Sequence, residues 1–504
     1  MNDEHHSPTL RPVLPERVTP LNQAPLRSEG RYVLYWMTAQ RRTRSNFALQ
    51  RALTWCQELG RPLVIFEPLR VGYEWASERF HSFVIDGMRD NQARCAELGV
   101  SYYPYVEPRE GAGKGLLRAL ADEACVVIAD EYPCYFLPRM LQRAAQQLEV
   151  RLEQVDSCGL LPLRASPRHF TTAASFRRHM QKTISPHLHA ERFPHLDPLE
   201  IAVLSAAGEA DPCGAEINPQ ILAQWPPLKP EALELSELPI DHGVKACATG
   251  GPLKAEEVLE RFMKRGLARY HLGRNDVDHS AASGLSPYLH FGHISAHEVV
   301  ERALRSCDWE PSKVAPKASG SRAGWWGASP AVESFLDEQI TWREVGFVFA
   351  FYHPDSYDRY ESLPNWAQKT LNEHSQDERP YLYSLEELEE GRTHDELWNA
   401  AQRQLCLEGK IHNYVRMLWG KKILEWSPSP QVALERLIHL NNKYALDGRD
   451  PNSYSGIFWC LGRFDRAWGP ERPIFGKIRF MSSDSTKRKL KTKGYVARYQ
   501  ARLI

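Results

Sequence analysis

The 504-residue chain carries no formal net charge, because 63 basic side chains stand against 63 acidic ones. Bulk electrostatics therefore cannot hold it to nucleic acid, and any such partner must meet a local patch. Cysteine is scarce and scattered: ten copies include no Cys-x-x-Cys pair, so no zinc or iron–sulfur ligand set has a local signature and no metal is expected. No run approaches 18 consecutive apolar residues, which excludes a spanning helix and leaves no membrane partner. The first 28 residues, with Pro8, Pro12, Pro15 and Pro20, lack the apolar core of a secretory signal and read as a flexible tail. Thiols without such a signal suit a reducing cytoplasm. No internal repeat is present.

Tryptophan and proline are what the chain has in quantity, at 14 and 35 copies. A hydrophobic share of 42% and a charged share of 25% are those of a globular protein, so disorder as the main state is excluded. Over residues 29–165 short apolar runs at 32–37, 63–66, 100–106, 126–129 and 151–155 alternate with amphipathic stretches near 43–60, 77–98, 115–124 and 137–148. Five strands interleaved with four helices predict a five-stranded parallel, Rossmann-like α/β domain, with ligand crevices at the carboxyl ends of the strands. Residues 166–254 lose this pattern and read as an inter-domain linker on the surface. From 255 to 504 strand signals nearly vanish. Helical periodicity carries 256–266, 296–306, 332–351, 385–390, 395–407, 411–425 and 430–440, which predicts an all-α domain.

Several motifs bear on chemistry. Gly111-Ala112-Gly113-Lys114-Gly115 lacks the first glycine and the hydroxyl of a phosphate loop, and a turn before a helix accounts for it. Ser283-Gly284-Leu285-Ser286-Pro287 places small and hydroxyl residues before a Pro-started helix, where unpaired N–H groups hold phosphate or an ordinary cap sits. Asp447-Gly448-Arg449-Asp450-Pro451-Asn452 is a polar turn that suits a ribose, a heterocycle edge or solvent. Trp419 and Trp426, seven residues apart, share a helix face about 10 Å apart along the axis. Trp398 falls on the preceding helix, and such a stripe suits core packing or an electron path. Residues 472–504 hold ten Lys or Arg and one acid, Asp484, which fits either a solvated helix end or a DNA-backbone contact.

Residues 283–292, Thr393-His394-Asp395-Glu396-Leu397-Trp398-Asn399, Arg416-Met417-Leu418-Trp419-Gly420-Lys421-Lys422 and the segments 440–452 and 472–480 together resemble the flavin domain of the cryptochrome/photolyase family. The specific resemblance is to class II cyclobutane pyrimidine dimer photolyases. It implies FAD buried in the helical domain, active as FADH−, and a light-driven electron transfer that splits the dimer in a flipped-out lesion of UV-damaged DNA. It further implies that Tyr270, Ser283, Gly284, Leu285, Ser286, Arg343 and Asp450 hold the flavin. Asn441 faces its reducible nitrogen, and Arg416 pairs with Asp447 beside the ring. Glu338 bonds the dimer, Trp342 and Trp459 wall it, and Met417 lies near it. Trp398, Trp419 and Trp426 then form the path that photoreduces the flavin. A monomeric, cytoplasmic, DNA-associated protein of bacterial type is expected.

The chain departs from the family at Ala129-Asp130-Glu131-Tyr132-Pro133, at Asp156-Ser157-Cys158-Gly159 and at Cys460-Leu461-Gly462-Arg463-Phe464-Asp465. The first two lie where a second, antenna chromophore would dock, so its identity and its presence stay open. A cryptochrome-like photoreceptor without repair activity is the competing function, and Glu338, Trp342 and Trp459 favour repair over it.

Overall fold

A computed structural model describes residues 10–205, 211–229 and 233–500. The chain divides into two units, the first comprising Met1–Ala165, Ile184–Leu259 and Leu285–Arg302 and the second Ser166–Thr183, Glu260–Gly284 and Ala303–Ile504.

The first unit is built on strands β1 (Val18–Pro20), β2 (Tyr32–Trp36), β3 (Leu63–Leu69), β4 (Ser101–Val106), β5 (Ala124–Glu131) and β6 (Leu152–Asp156), in the order β1-β6-β5-β2-β3-β4. Strands β2 to β6 pair in parallel, as five apolar runs separated by helices require. Alternation in β2 shows why those runs are continuous. Val33 and Tyr35 join the core that includes Leu49 and Leu53 of helix α1 (Phe47–Leu59). Tyr32, Leu34 and Trp36 join the opposite core with Leu120 of α3 (Leu116–Asp122) and Leu141 of α4 (Leu137–Gln147). A sheet covered on both faces has no polar side. Helix α1 starts where the side chain of Asn46 accepts from the N–H groups of Ala48 and Leu49, and α2 (Glu78–Leu98) ends at Gly99, which adopts the left-handed conformation.

The expected boundaries shift in three places. The tail is not free as far as residue 28: β1 pairs antiparallel with β6, adding a sixth strand. Arg17 beside it is buried and donates to the carbonyls of Asp156, Gly159 and Leu160 at 3.1, 3.2 and 2.7 Å. A three-residue strand ending in Pro20 carries too little periodicity to be seen in sequence. The expected linker is shared out between the units: α5 (Ala173–Thr183), with buried Phe176 and Arg177, belongs to the second, while Ile184–Leu259 belongs to the first. Residues 285–302, expected in the helical domain, group with the first unit.

The second unit is helical. The expected helix over 332–351 is three pieces: Pro330–Leu336, a π-helical segment Asp337–Trp342, and Arg343–Tyr352. A π segment inserts extra backbone and turns the faces on either side, a change that hydrophobic periodicity does not report. Helix Arg343–Tyr352 lies against Pro451–Trp459, and the approach is close at Gly346, where a Cβ would fall 2.4 Å from Ser455 Oγ and 2.7 Å from the Pro451 carbonyl. Helix Asn413–Glu425 packs on Glu396–Glu408 and on Pro430–Tyr444. The basic C-terminal stretch forms two short helices, Ser483–Lys489 and Lys493–Gln500. Buried Tyr495 and Tyr499 dock the second by donating to Gln404 Oε1 and Glu408 Oε1, each at 2.7 Å.

Candidate functional site

The π-helical segment positions Glu338 and Trp342. Asp337 anchors it through a buried ion pair with Arg177 of α5, at 2.6 and 3.0 Å. The next residue, Glu338, turns outward to form an ion pair with Arg274, and the two side chains keep 27% and 26% of their exposure. Surrounding protein pushes the Glu338 carboxyl up, Arg274 pulls it down, and neighbouring Asp337 adds to the rise. Tyr270, one helical turn before Arg274, packs edge-on against Phe262 and Phe335, with the Arg274 guanidinium 5.9 Å from its ring. Burial, then Glu338, raises its phenol. Tyr270, expected with the flavin, thus sits within the same cluster as Glu338. Trp342 is half-buried at the end of the segment, and Arg343 begins the next helix with its guanidinium 4.3 Å above the Phe347 ring.

Arg416, in the first turn of helix Asn413–Glu425, is the centre of a second cluster. It donates to both Asp447 oxygens at 3.1 Å, to Ser453 Oγ at 3.2 Å and to Asn441 Oδ1. Asn441 is 1% exposed, and its amide nitrogen donates to Ser453 Oγ and Asn442 Oδ1 at 2.9 and 3.1 Å. The amide is therefore held in one orientation by its neighbours, and one acceptor lone pair on Oδ1 remains. Asp450 caps helix Pro451–Trp459 by accepting from the Asn452 N–H at 2.8 Å, so part of its role is structural.

Trp459, at the far end of that helix, is half-buried. The Lys421 ammonium lies 4.8 Å from its ring and the Arg479 guanidinium 5.5 Å. Lys421 is fully buried and donates to the carbonyls of Cys460 and Trp459, at 2.7 and 3.5 Å. Desolvation pushes it down to about 8. Met417 is half-buried, and its carbonyl lies 4.0 Å from Cys460 Sγ.

The segment 283–286 differs from expectation. Gly284 has φ +73°, Leu285 is buried, and Ser286 is exposed at the start of a helix only five residues long, Ser286–His290. Leu285 occupies the cap position and no side chain caps the helix, so neither serine acts as the expected N-cap. The division between the two units falls inside this segment, after Gly284.

The three tryptophans are brought together. Trp398 stacks on Trp419 with ring centroids 6.4 Å apart and planes at 5°, and meets Trp426 edge-on at 5.5 Å. All three are at most 2% exposed. The Trp398 indole N–H donates to the Trp419 carbonyl and that of Trp419 to Gln402 Oε1, each at 3.0 Å. Their spatial order is 419, 398, 426, with the residue from the earlier helix in the middle.

Lys487, Arg488, Lys489, Lys491 and Lys493 are exposed along the C-terminal helices. In the Pro/Gly/Ser/Lys-rich loop over residues 311–330, Lys313, Lys317 and Arg322 are exposed while Trp325 and Trp326 are buried and tie it down. In the first unit, the acids at the carboxyl ends of the strands are spent internally. Asp130 accepts from the N–H groups of Thr38, Ala39 and Gln40, Glu131 pairs with Arg164, and Asp156 accepts from Cys158 and Leu163. Sequence reasoning missed Arg274, Lys421 and Arg177. Only Arg274 left a signal, its i, i+4 spacing from Tyr270.

No family model matches the chain. It is 35% identical over 485 residues to a deoxyribodipyrimidine photo-lyase of Methanothermobacter thermautotrophicus, covering 96% of this chain and 98% of that protein. It is 32% identical over 479 residues to a deoxyribodipyrimidine photo-lyase of Arabidopsis thaliana, covering 92% and 88%. A plant cryptochrome-1 matches only 32% of the chain, at 28% identity. The crystal structure of a bacterial class III photolyase from Agrobacterium tumefaciens shares the fold with a TM-score of 0.64 at 18% identity, covering 93% of this chain and 86% of that one.

Proposed function

The chain belongs to the cryptochrome/photolyase family, among its deoxyribodipyrimidine photolyases, and from that premise we propose how its residues divide the work of light-driven DNA repair. The enzyme is a lyase that acts on UV-damaged DNA, and FAD is the cofactor its family implies. The donor set around Asn441 fits such a group: a buried amide held by Arg416 and Ser453, with a guanidinium–carboxylate pair beside it. Asn441, Arg416 and Asp447 would hold the isoalloxazine. Arg343, Tyr270, Asp450 and residues 283–286 would hold the rest. When bound and reduced, FAD supplies on illumination the electron that opens the dimer and takes it back.

The protein's own part is binding, orientation and charge. Trp342 and Trp459 present flat apolar faces to a flipped lesion, with Met417 beside them, and unstacking costs least at a damaged site. Glu338 offers its carboxyl to the lesion's carbonyl edge, where a hydrogen bond strengthens as negative charge develops. The exposed Lys and Arg of the C-terminal helices and of the 311–330 loop hold phosphates without reading sequence. Trp419, Trp398 and Trp426 carry electrons inward when the cofactor has become oxidised. A cytoplasmic monomer with FADH− as the active state completes the reading, and a second chromophore would need a site other than the acids already used in the first unit.

One observation carries this division: the helix Asn413–Glu425 turns Arg416 to Asp447 and Asn441 and Trp419 to Trp398, so a single element joins cofactor grip and electron path. The test is restoration of thymines in dimer-containing DNA by reduced, FAD-loaded protein, in light and in darkness. Light-dependent restoration is expected. Photoreduction of the flavin without restoration would leave the photoreceptor function instead.

A further inference from the structure

Lys421 carries a buried charge with no acid against it. Its side chain is fully enclosed, and among the described residues no carboxylate lies within ion-pair distance of its ammonium. Asp465, which acts on it through space, is already bonded to Arg479 at 2.7 and 3.0 Å. What the ammonium touches instead are the carbonyls of Trp459 and Cys460, where helix Pro451–Trp459 ends and its dipole is negative. The same ammonium lies 4.8 Å from the Trp459 ring. Holding an unpaired charge out of water is costly, and a neutral donor could serve the two carbonyls. A cation kept here without a partner therefore suits an anion that arrives only in the course of the reaction.

We propose that Lys421 is a positioning residue for repair in two separable ways: its N–H groups fix the main chain at Trp459, and its positive charge, felt through the indole, stabilises the negative charge that a dimer packed on that indole acquires. This rests on the reading that Trp459 walls the lesion. Trp459 is half-buried while Lys421 is fully enclosed, so the lesion meets the indole and not the ammonium. Inside the protein such a field is far less screened than in water. Arg479, 5.5 Å from the same ring, contributes less, because Asp465 balances it and its side chain is 37% exposed. The dimer gains one electron and returns it in the repair reaction itself; Lys421 supplies neither electron nor proton. A dimer in darkness is neutral and draws little from the charge, so the benefit falls on the charged state.

Charge and position separate with pH. Burial pushes the ammonium down to about 8; Cys460 and Asp465 oppose this and Arg479 adds to it. On its own helix the neighbouring cations are balanced, Lys422 by Glu425 and Arg416 by Asp447. Above that pH the amine keeps N–H groups for its carbonyls and has lost its charge. Burial holds the Cys460 thiol above its usual range. Burial of Asp465 is outweighed by hydrogen bonds led by that of Arg479, which hold its carboxyl low, so neither group changes charge there.

The experiment uses reduced, FAD-loaded protein and a dimer-containing oligonucleotide, comparing the parent with Lys421→Arg and Lys421→Met. Electron transfer to the bound dimer is timed by ultrafast absorption, and affinity in darkness is measured in parallel. In the parent, transfer should slow about tenfold as the pH rises through about 8, while dark affinity changes no more than in Lys421→Arg. Lys421→Arg stays charged and should show no such slowing. Lys421→Met should be slow at every pH, without an inflection. A parent rate that is flat through this range and equal to that of Lys421→Met would overturn the proposal. So would an inflection that persists in Lys421→Arg, because another group would then be titrating. If Lys421→Met unfolds or loses FAD, the profiles of the parent and Lys421→Arg decide alone. Should Trp459→Ala bind the dimer in darkness and pass it the electron at parental values, the reading of Trp459 as the lesion wall fails, an outcome distinct from failure at Lys421.

Discussion

The indole of Trp398 lies parallel to that of Trp419, 6.4 Å away between centroids, and donates its N–H to the Trp419 backbone carbonyl. Stacking and hydrogen bond together fix the ring that stands between the other two tryptophans. A central position has a consequence that chain order does not suggest, because Trp398 is first of the three in sequence yet second in space.

Replacing Trp398 with Phe should therefore interrupt the path. Photoreduction of oxidised flavin should slow by more than tenfold in flash photolysis, while repair by chemically reduced protein is retained. The lost indole and its hydrogen bond should cost about 1–3 kcal/mol in denaturant titration. Equal losses of photoreduction and repair would instead assign Trp398 to core packing.

Arg416→Met should leave the Asp447 carboxylate and the Asn441 oxygen without their donor. Removal of one partner from a sparsely exposed pair costs about 1–3 kcal/mol, and it releases the Asn441 amide. Purified protein should carry less FAD, read from the flavin-to-protein absorbance ratio. Full occupancy at parental stability would remove Arg416 from the cofactor's grip.

Lys421 sets a pH dependence. Buried among carbonyls, it is pushed from 10.5 down to about 8, so its charged form costs about 3 kcal/mol relative to an exposed lysine. Between pH 8 and 10.5 the unfolded chain holds this proton and the folded chain does not, so stability contributed here rises with pH across that window. Below pH 8 both states are charged and the cost is present in full. The unfolding free energy of the parent minus that of Lys421→Met should therefore be constant below pH 8 and rise by about 3 kcal/mol between pH 8 and 10.5. A difference that is flat with pH would mean the ammonium is not desolvated.

Replacing Lys487, Arg488, Lys491 and Lys493 together with Ala should weaken binding to damaged and undamaged DNA alike. Each phosphate left without its cation lowers the salt slope by about 0.9, so a decrease of about 3.6 is expected if each of the four meets one phosphate. Tyr495 and Tyr499 keep the helix docked, so the melting temperature should hardly move. An unchanged slope would make this stripe an ordinary solvated surface.

Much was legible in the chain itself. Continuous apolar runs specified a parallel sheet because both its faces are covered, and the 3.6-residue period located most helices of the second unit because each buries one stripe. The motif residues at 416, 441 and 447 stand in one hydrogen-bonded cluster, and the three tryptophans in one aromatic cluster. What periodicity could not carry was β1, whose three residues include a proline, and the π segment, which keeps an apolar pattern while changing register. The fate of residues 166–254 was also hidden, because short helices dock by long-range pairs such as Arg177–Asp337.

By itself the sequence determined the α/β and helical architecture, the family, and which side chains are present to do chemistry, since these follow from local periodicity and from residue identity. Only the tertiary structure decided which of them meet. It put Trp398 between two later tryptophans, gave Glu338 a cation from 64 residues earlier in the chain, and set a buried ammonium against Trp459. The physical reason is one of range: backbone preferences act over a few residues, while ion pairs, ring stacks and desolvation depend on distances that only the packed chain defines.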